Sequence, residues 1–339
     1  MRDYFIRRFL LIPPTLLGVT LIVFFITRLV PGGPIERALA ESRQADTTSG
    51  VRADRAGGTS LSEEQIQQLR EFYGFDKPWY LAYVDWIGNT LRGDLGNSYI
   101  YHQPVTTVIV SKLPISIYFG LLTTLITYAV CLPLGIVKAI RHRSALDNTT
   151  SLIVFAGYAV PNYVFGSMIL FFFAARLEWF PLGGFVSDNF DSLSTFGKAV
   201  DLLQHTTLPL AAYLVSSFAF TTLLMKNHLM DNLAADYMRT AVAKGVPFRR
   251  AVFGHALRNS LIPLATTFGQ NLGLVLAGSF LIEVIFDIDG MGLLGFKAVI
   301  DRDYPVVMGI LLISSILLLV GNILSDMLVA LLDPRIRFH

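Results

Sequence analysis

Residues 236–265 read DYMRTAVAKGVPFRRAVFGHALRNSLIPLA and lie between two long apolar stretches. The pattern predicts a helical piece through Lys244, a turn at 245–247 containing glycine and proline, and a second helical piece with apolar and basic residues interleaved. Such a helix-turn-helix presents an apolar face with a charged rim, which a soluble partner docked at the inner face of a membrane could move. A plain amphipathic connector on lipid headgroups is the alternative, and periodicity alone leaves both open.

Six apolar stretches around this segment are each long enough for a membrane-spanning helix of about 20 residues. Their uniformly apolar character predicts helices, because the strands of a membrane barrel alternate with period two. The stretches are about 9–30, 113–137, 149–175, 206–230, 261–286 and 305–332. We therefore predict an all-α integral membrane protein with six transmembrane helices. The prolines at 133, 161, 209 and 263 are expected to kink these helices rather than break them.

The composition supports lipid as the main solvent of the chain. Of its 339 residues 53% are hydrophobic and 15% charged, with a mean hydropathy of +0.55, whereas soluble domains carry about 25% charged residues. A net charge of +2 gives no basis for a nucleic-acid partner. The first apolar stretch is longer than a signal-peptide core and lacks a small-x-small cleavage site, so we expect it to be retained.

Positive charge is segregated along the chain. The N-terminus, the connections 138–148 and 226–260, and the C-terminus hold fourteen Lys or Arg, while the connections 176–205 and 283–304 hold four, beside nine acidic residues. The positive-inside rule predicts both termini in the cytoplasm and a large first external loop.

We divide the chain near residue 105. Residues 1–105 are predicted to hold the first transmembrane helix and the long external loop, and residues 106–339 a core membrane domain with five transmembrane helices. Within the loop, 41–60 is polar and aperiodic, and a capping box at 62–65 starts a short helix. A second helix follows Pro78, with an aromatic face that suits either the headgroup level or a small extramembrane core.

The sequence contains none of the common motifs for nucleotide binding, metal binding or catalysis. It has no phosphate-binding G-x-x-x-x-G-K-[ST] loop, no histidine pair at metal-binding spacing and no G-x-S-x-G elbow. We predict that the chain is not itself an enzyme and binds no cofactor or metal. Ionisable or polar groups in the apolar stretches are candidates for helix packing or gating: Glu283, Asp326 and Asn322. An ion-coupled secondary transporter, which needs charges at mid-membrane depth, is the alternative.

Two runs in the opening segment resemble a known family. They are Tyr237-x-Arg239-Thr240-Ala241-x-Ala243-Lys244-Gly245 and His255-Ala-Leu-Arg258-Asn259-x-Leu-Ile-Pro263, and they are similar to the EAA-type coupling loop of ABC import permeases in its oligopeptide and dipeptide form. Thr240 stands where glutamate is common in other importers, a departure usual in the peptide branch. Further matches include Gly93-Asp-Leu-Gly96-x-Ser98, Gly278-Ser279 with Glu283, and Arg302-Asp-Tyr-Pro305. Pro31-Gly-Gly-Pro34, Asn189-Phe-Asp-Ser-Leu193 and the 302–305 motif resemble the YejB type, a group linked to uptake of oligopeptides and microcin C.

The resemblance implies a type I importer in the bacterial inner membrane. The chain would pair with a second homologous permease subunit, and with two ATP-binding cassette ATPase subunits or one fused tandem ATPase, which alone use ATP and Mg. A periplasmic substrate-binding protein would deliver oligopeptides or, in related permeases, dipeptides, nickel chelates or glutathione. Membrane lipid surrounds the assembly. The coupling loop, 231–260, would contact an ATPase through Asp236, Tyr237, Arg239, Thr240, Ala241, Ala243, Lys244, Gly245, Val246, Arg249, His255, Arg258 and Asn259.

Overall fold

The computed structural model describes residues 2–29, 64, 67, 77–276 and 278–332. Within these residues the regular structure is helical, apart from one isolated bridge between Asn97 and Pro104. The predicted turn at 31–34, the polar stretch 41–60 and, except for Glu64 and Gln67, the helix begun by the capping box lie outside the described residues.

The helices differ widely in length. In chain order they are α1 Arg2–Leu29, α2 Trp79–Leu91, α3 Val105–Ile140, α4 Ala145–Ala159, α5 Asn162–Arg176, α6 Thr195–Ala234, α7 Asp236–Ala243, α8 Phe248–Ala251, α9 Leu257–Ser260, α10 Ile262–Leu276, α11 Phe280–Ile285, α12 Met291–Ile300 and α13 Tyr304–Leu332. The last part of α5 is a π-helix, Leu170–Arg176, and a second π-helix, Val252–Ala256, joins α8 to α9. A short 3₁₀ helix, Phe190–Ser192, precedes α6.

Four helices of the described chain are long and apolar enough to cross a membrane, namely Arg8–Arg28 of α1, α3, α6 and α13. Helices α4 and α5 add a fifth span if the pair is counted as one, although they are bent by 97°. The predicted all-α membrane protein is thus confirmed with four to five apolar spans.

Pro161 breaks the helix, so the prediction that it would only kink the third span is wrong. Val160 is extended, with φ −95° and ψ 123°, and Pro161 itself is the residue before α5. The cause is steric, because a proline ring pushes the preceding residue out of the helical region. Pro133 and Pro209 do lie inside continuous helices, α3 and α6.

The apolar stretch 261–286 does not form one long helix. It contains α10, which has 15 residues and would extend about 22 Å, short of the roughly 30 Å hydrocarbon core. The shorter α11 follows after Gly278, whose φ of +82° suits glycine and interrupts the helical path.

The chain divides into two compact units. The larger unit comprises Met1–Phe9, Lys112–Leu294 and Ser314–His339, and the smaller comprises Leu10–Ser111 and Gly295–Ile313. Among its described residues, the larger unit has a core cluster around Phe119 and Tyr213 and another around Met225 and Leu229.

The smaller unit is built around the aromatic face predicted for α2. The Tyr83 hydroxyl donates to the Leu17 carbonyl at 2.9 Å, and the Tyr83 ring packs against Phe24 with centroids 5.3 Å apart. Tyr83 is 8% exposed, whereas Trp79 is 45% exposed. The Tyr83 side of this aromatic face therefore packs in a core with α1, and the depth of α2 relative to the membrane stays a prediction.

Candidate functional site

The 236–260 segment folds as the helix-turn-helix that its sequence predicts. Helix α7 ends in a reversal in which the Gly245 amide donates to the Val242 carbonyl at 2.9 Å and the Val246 amide donates to the Ala241 carbonyl at 3.1 Å. These two bonds define a Schellman motif, which needs a left-handed residue, and Gly245 supplies it with φ +84°. Pro247 then precedes α8, so glycine and proline together set the turn.

One face of this segment is buried against the long helices. Met238 of α7 and Ala251, Val252 and Ala256 of the second helical piece are at most 2% exposed. They pack in one cluster with Met225 and Leu229 of α6, Ala139 of α3 and Leu264 of α10. The Ser260 hydroxyl adds a bond to the His228 carbonyl of α6 at 3.2 Å. The segment is therefore packed directly on the ends of these helices.

The opposite face is exposed and carries most of the residues predicted for partner contact. Ala241 and Val246 are half-buried; the exposed ones are Asp236, Tyr237, Arg239, Thr240, Ala243, Lys244, Gly245, Arg249, His255, Arg258 and Asn259. Two large aromatic side chains that the prediction omitted, Phe248 and Phe253, are 50% and 52% exposed on the same segment. Large apolar groups beside charged ones are typical of protein interfaces.

Several of these exposed residues also brace the segment. The Tyr237 hydroxyl donates to Asn232 Oδ1 at 2.6 Å and accepts from Asn259 Nδ2 at 3.4 Å, which links α7 with α9. Arg258 Nε donates to the Leu332 carbonyl at 2.5 Å, at the C-terminal end of α13. A cation there is favourable because the last carbonyls of a helix have no partner within it.

A buried charge cluster beside this segment was not predicted. Lys138 of α3 and Lys226 of α6 both pair with Asp147 at the start of α4, with Nζ to Oδ1 distances of 3.2 Å and 2.7 Å. The side chains of Lys138 and Asp147 are 0% and 3% exposed. Lys138 Nζ also donates to Thr150 Oγ1 and Ser151 Oγ at 2.7 Å and 2.8 Å.

The sequence analysis counted both lysines as connection charges, whereas they lie within helices. A usable signal existed for their partner, because Ser144-x-x-Asp147 has capping-box spacing and Ser144 Oγ does accept from the Asp147 amide at 3.2 Å.

The three polar groups proposed for packing or gating occupy different settings. Glu283 is 2% exposed, and its carboxylate accepts from the Leu293 amide at 2.6 Å and the Gly292 amide at 3.3 Å, where it caps α12. Asp326 of α13 pairs with Arg8 of α1, with Nε to Oδ2 at 2.9 Å. Asn322 lies where α13 crosses α10 closely, since a Cβ on Gly269 would lie 2.8 Å from the backbone nitrogen of Asn322.

These features define a class of protein: a multi-span helical membrane subunit with an exposed helix-turn-helix packed on the ends of its long helices. Residues 131–338 match the family described as binding-protein-dependent transport system inner membrane component. The chain belongs to this family.

Similarity to individual relatives covers the whole sequence. The chain is 39% identical to the peptidoglycan transport system permease protein YejB of Agrobacterium fabrum, covering 100% of this chain and 99% of that protein. It is also 39% identical to the inner membrane ABC transporter permease protein YejB of Escherichia coli O157:H7, and 33% identical to the oligopeptide transport system permease protein AppB of Bacillus subtilis, with 100% of both chains covered in each case.

A solved structure supports the fold. The MetNI methionine ABC transporter in inward-facing conformations contains a chain that superposes with a TM-score of 0.51 at 14% identity, covering 67% of this chain and 97% of that one. At that identity the likeness concerns architecture alone.

The family decides between the two transporter classes that the sequence left open. The chain is a permease subunit of an ABC importer, a multi-pass inner-membrane transport component without catalytic activity of its own. Dependence on a binding protein implies partners that bind substrate and hydrolyse ATP.

Proposed function

We propose that this chain forms half of the pathway by which an ABC importer moves peptides inward, alternating between outward-open and inward-open states. Support for the cargo comes from the relatives, whose names include oligopeptide and di/tripeptide transport permeases at 33% identity over at least 99% of this chain. Oligopeptides and peptide-like compounds such as microcin C are the proposed cargo, with dipeptides, nickel chelates and glutathione as alternatives.

The observation that carries the mechanism is the two-faced segment 236–260, called the coupling segment from here on. Its buried face packs on α3, α6 and α10, and its exposed face offers Phe248, Phe253 and a basic rim. We propose that this exposed face docks on a separate ATPase subunit, whose closure on ATP moves the segment as a rigid lever. ATP and Mg are used by that partner, and this chain binds no cofactor.

The proposed assembly is the one that the resemblance to ABC import permeases implies. This chain pairs with a second homologous permease, two ATPase subunits or one fused tandem ATPase lie beneath, and a periplasmic binding protein docks above. Six transmembrane helices, with α10 and α11 together completing the fifth, place both termini and the coupling segment in the cytoplasm. We retain the boundary near residue 105 between an N-terminal region, with its periplasmic loop, and the core permease domain.

Substitution of Gly245 tests the coupling. With the four partners reconstituted in liposomes, Gly245→Val is expected to leave ATP hydrolysis intact and to lower peptide uptake at least tenfold, because a β-branched residue resists φ +84° and misplaces the exposed face. Gly245→Asn, which tolerates the left-handed region, is expected to retain most uptake.

Two outcomes would contradict the proposal. One is normal uptake by Gly245→Val. The other is uptake by the native importer that persists without ATP and stops when ion gradients are collapsed, since an imposed gradient would then be the energy source.

A further inference from the structure

Helix α10 has an exposed face that is polar. Among residues 262–273, the part of α10 whose side chains the structure describes, the exposed ones are Thr266 and Gln270. They are one turn apart and therefore share a face. The buried side of the same helix is apolar, with Leu264 and Leu272 2% and 9% exposed. This distribution is the reverse of that expected for a helix whose exposed side meets lipid.

The neighbouring helix α13 shows the pattern that lipid requires. Every exposed side chain of α13 is apolar, Val320 among them at 46% exposure. The two helices touch at matching depth, since a Cβ on Gly269 would lie 1.6 Å from the Gly321 carbonyl oxygen. Gln270 and Val320 adjoin these two glycines in sequence, so they lie at nearly the same level. The polar character of Gln270 is therefore a property of its face and not of its depth.

The same contact fixes the direction in which α10 turns its polar face. Gly269 lies against the backbone of α13, and a Cβ on Gly273 would lie 3.2 Å from Leu318 Cα. Only small residues fit there, so α10 cannot rotate to bury Gln270 against α13. The Gln270 amide makes no hydrogen bond within the described chain. An amide left unpaired in hydrocarbon is costly, so this face is expected to meet water or a polar molecule.

We propose that Thr266 and Gln270 line the water-filled path of the transported peptide, and that the Gln270 amide bonds to the peptide backbone as it passes; this rests on the peptide function proposed above. A carboxamide both donates and accepts, as a peptide group does, so the two are complementary. Gln270 is eight residues beyond Ile262, the first residue of α10, which is about 12 Å along the helix. That position is well inside a hydrocarbon core of roughly 30 Å.

The chemistry of this face has a consequence for selectivity. Neither Thr266 nor Gln270 carries a charge, so the face accepts peptides with acidic, neutral or basic side chains. A single neutral amide forms only one or two modest hydrogen bonds. Such a contact orients a peptide without holding it.

The polar face is also placed to move with the coupling segment. Leu264, on the opposite side of α10, packs in the core cluster that holds Val252 and Ala256 of that segment. The proposed movement of the coupling segment therefore carries Gln270 with it, and the amide changes position between the outward-open and inward-open states.

Thiol labelling in the reconstituted importer tests whether this face meets water. Gln270→Cys is compared with Val320→Cys, its control at matching depth, using a hydrophilic thiol reagent; the native Cys131 is buried. Gln270→Cys is expected to react at least tenfold faster, because a thiol in hydrocarbon neither ionises nor meets the reagent. Saturating transported peptide should slow that reaction at least twofold.

A cycle of protein and peptide changes tests the amide contact itself. Uptake of one peptide and of its backbone N-methylated analogue is measured for the native permease and for Gln270→Met, which keeps the side-chain length and loses the amide. Uptake efficiency of the unmodified peptide is expected to fall about two- to tenfold. The penalty for N-methylation should shrink in this variant, because the two changes remove the same bond. Gln270→Asn keeps the amide and should retain more uptake than Gln270→Met.

The outcomes separate the two proposals. The pathway proposal alone is wrong if the native importer takes up peptide but Gln270→Cys reacts no faster than Val320→Cys, or cross-links to the second permease instead. It is also wrong if Gln270→Met leaves the N-methylation penalty unchanged. If the native importer takes up no peptide under ATP, the proposed function is wrong, and the pathway proposal with it.

Discussion

At the scale of single residues, Asp147 is the centre of the best-defined electrostatic cluster in the larger unit. It forms ion pairs with both Lys226 and Lys138, and the Arg143 amide donates to Asp147 Oδ2 at 3.1 Å. Burying charges is expensive unless each has a partner, so this carboxylate holds the ends of α3, α4 and α6 together beside the coupling segment.

Asp147→Asn should therefore strongly destabilise the protein. An amide cannot balance two ammonium groups, and Lys138 is fully buried, so the free energy of unfolding in detergent should fall by about 3 kcal/mol. Asp191→Asn is the control, because Asp191 pairs with Lys198 at 3.9 Å on the surface and should change stability by less than about 1 kcal/mol. Equal stability of the two variants would contradict the role given to Asp147.

Some single residues were predictable and others were not. Gly245 and Pro247 act locally, through backbone conformation, so the turn they form follows from sequence. Lys138 is paired with Asp147, 9 positions away in another helix, and Asp147 is paired in turn with Lys226, 79 positions further on in a third. Charge counting alone placed that lysine in a connection, since helix packing decides whether a lysine near a helix end is buried.

At the scale of elements, the close approach of α10 and α13 depends on glycine. A Cβ on Gly269 would lie 1.6 Å from the Gly321 carbonyl oxygen, and a Cβ on Gly273 would lie 3.2 Å from Leu318 Cα. Small residues four apart allow helices in lipid to pack backbone to backbone, where van der Waals contact replaces the hydrophobic effect as the driving force.

Gly269→Ala should force these two helices apart. The expected loss is about 2 kcal/mol of unfolding free energy, as for overpacked cores, measured by reversible denaturation in detergent micelles. Gly18→Ala in α1 is the control, because a Cβ there meets nothing within 4 Å. A Gly269→Ala variant as stable as Gly18→Ala would show that the two helices do not depend on this contact.

Element lengths were predictable where apolar character and helix continuity coincide, as in α3, α6 and α13. They were not where backbone geometry interrupts an apolar run. Pro161 and Gly278 lower the hydropathy of their apolar stretches only slightly. Yet Pro161 separates α4 from α5, and Gly278 lies between α10 and α11.

Two motifs that are far apart in sequence, at 93–98 and 302–305, are in contact within the smaller unit. Asp303, 1% exposed, accepts from the Ser98 hydroxyl and from the Tyr99 amide at 3.1 Å. The sequence analysis noted the motifs at 93–98 and 302–305 separately. Nothing in either motif alone predicts their contact, because it depends on how the chain places α13 beside the loop that precedes α3.

At the scale of the whole molecule, the proposed topology can be tested with single cysteines. The one native cysteine, Cys131, is buried, which keeps background labelling low. Asp191→Cys should react with an impermeant thiol reagent added from the periplasm, and Arg141→Cys should react only after the membrane is opened, because the two residues lie at opposite ends of the proposed topology. Both side chains are exposed, so the reverse pattern would overturn the orientation.

The central claim is that force reaches the spanning helices from a separate ATPase through the coupling segment. The most direct measurement is cysteine cross-linking in the assembled, transport-competent importer, with Ala243→Cys on the exposed side of α7 and Asp191→Cys as the control. We predict that Ala243→Cys cross-links to an ATPase subunit, with a yield that changes on ATP binding, and that Asp191→Cys does not. Absence of any cross-link from Ala243→Cys to an ATPase, or a cross-link to the substrate-binding protein instead, would contradict the account.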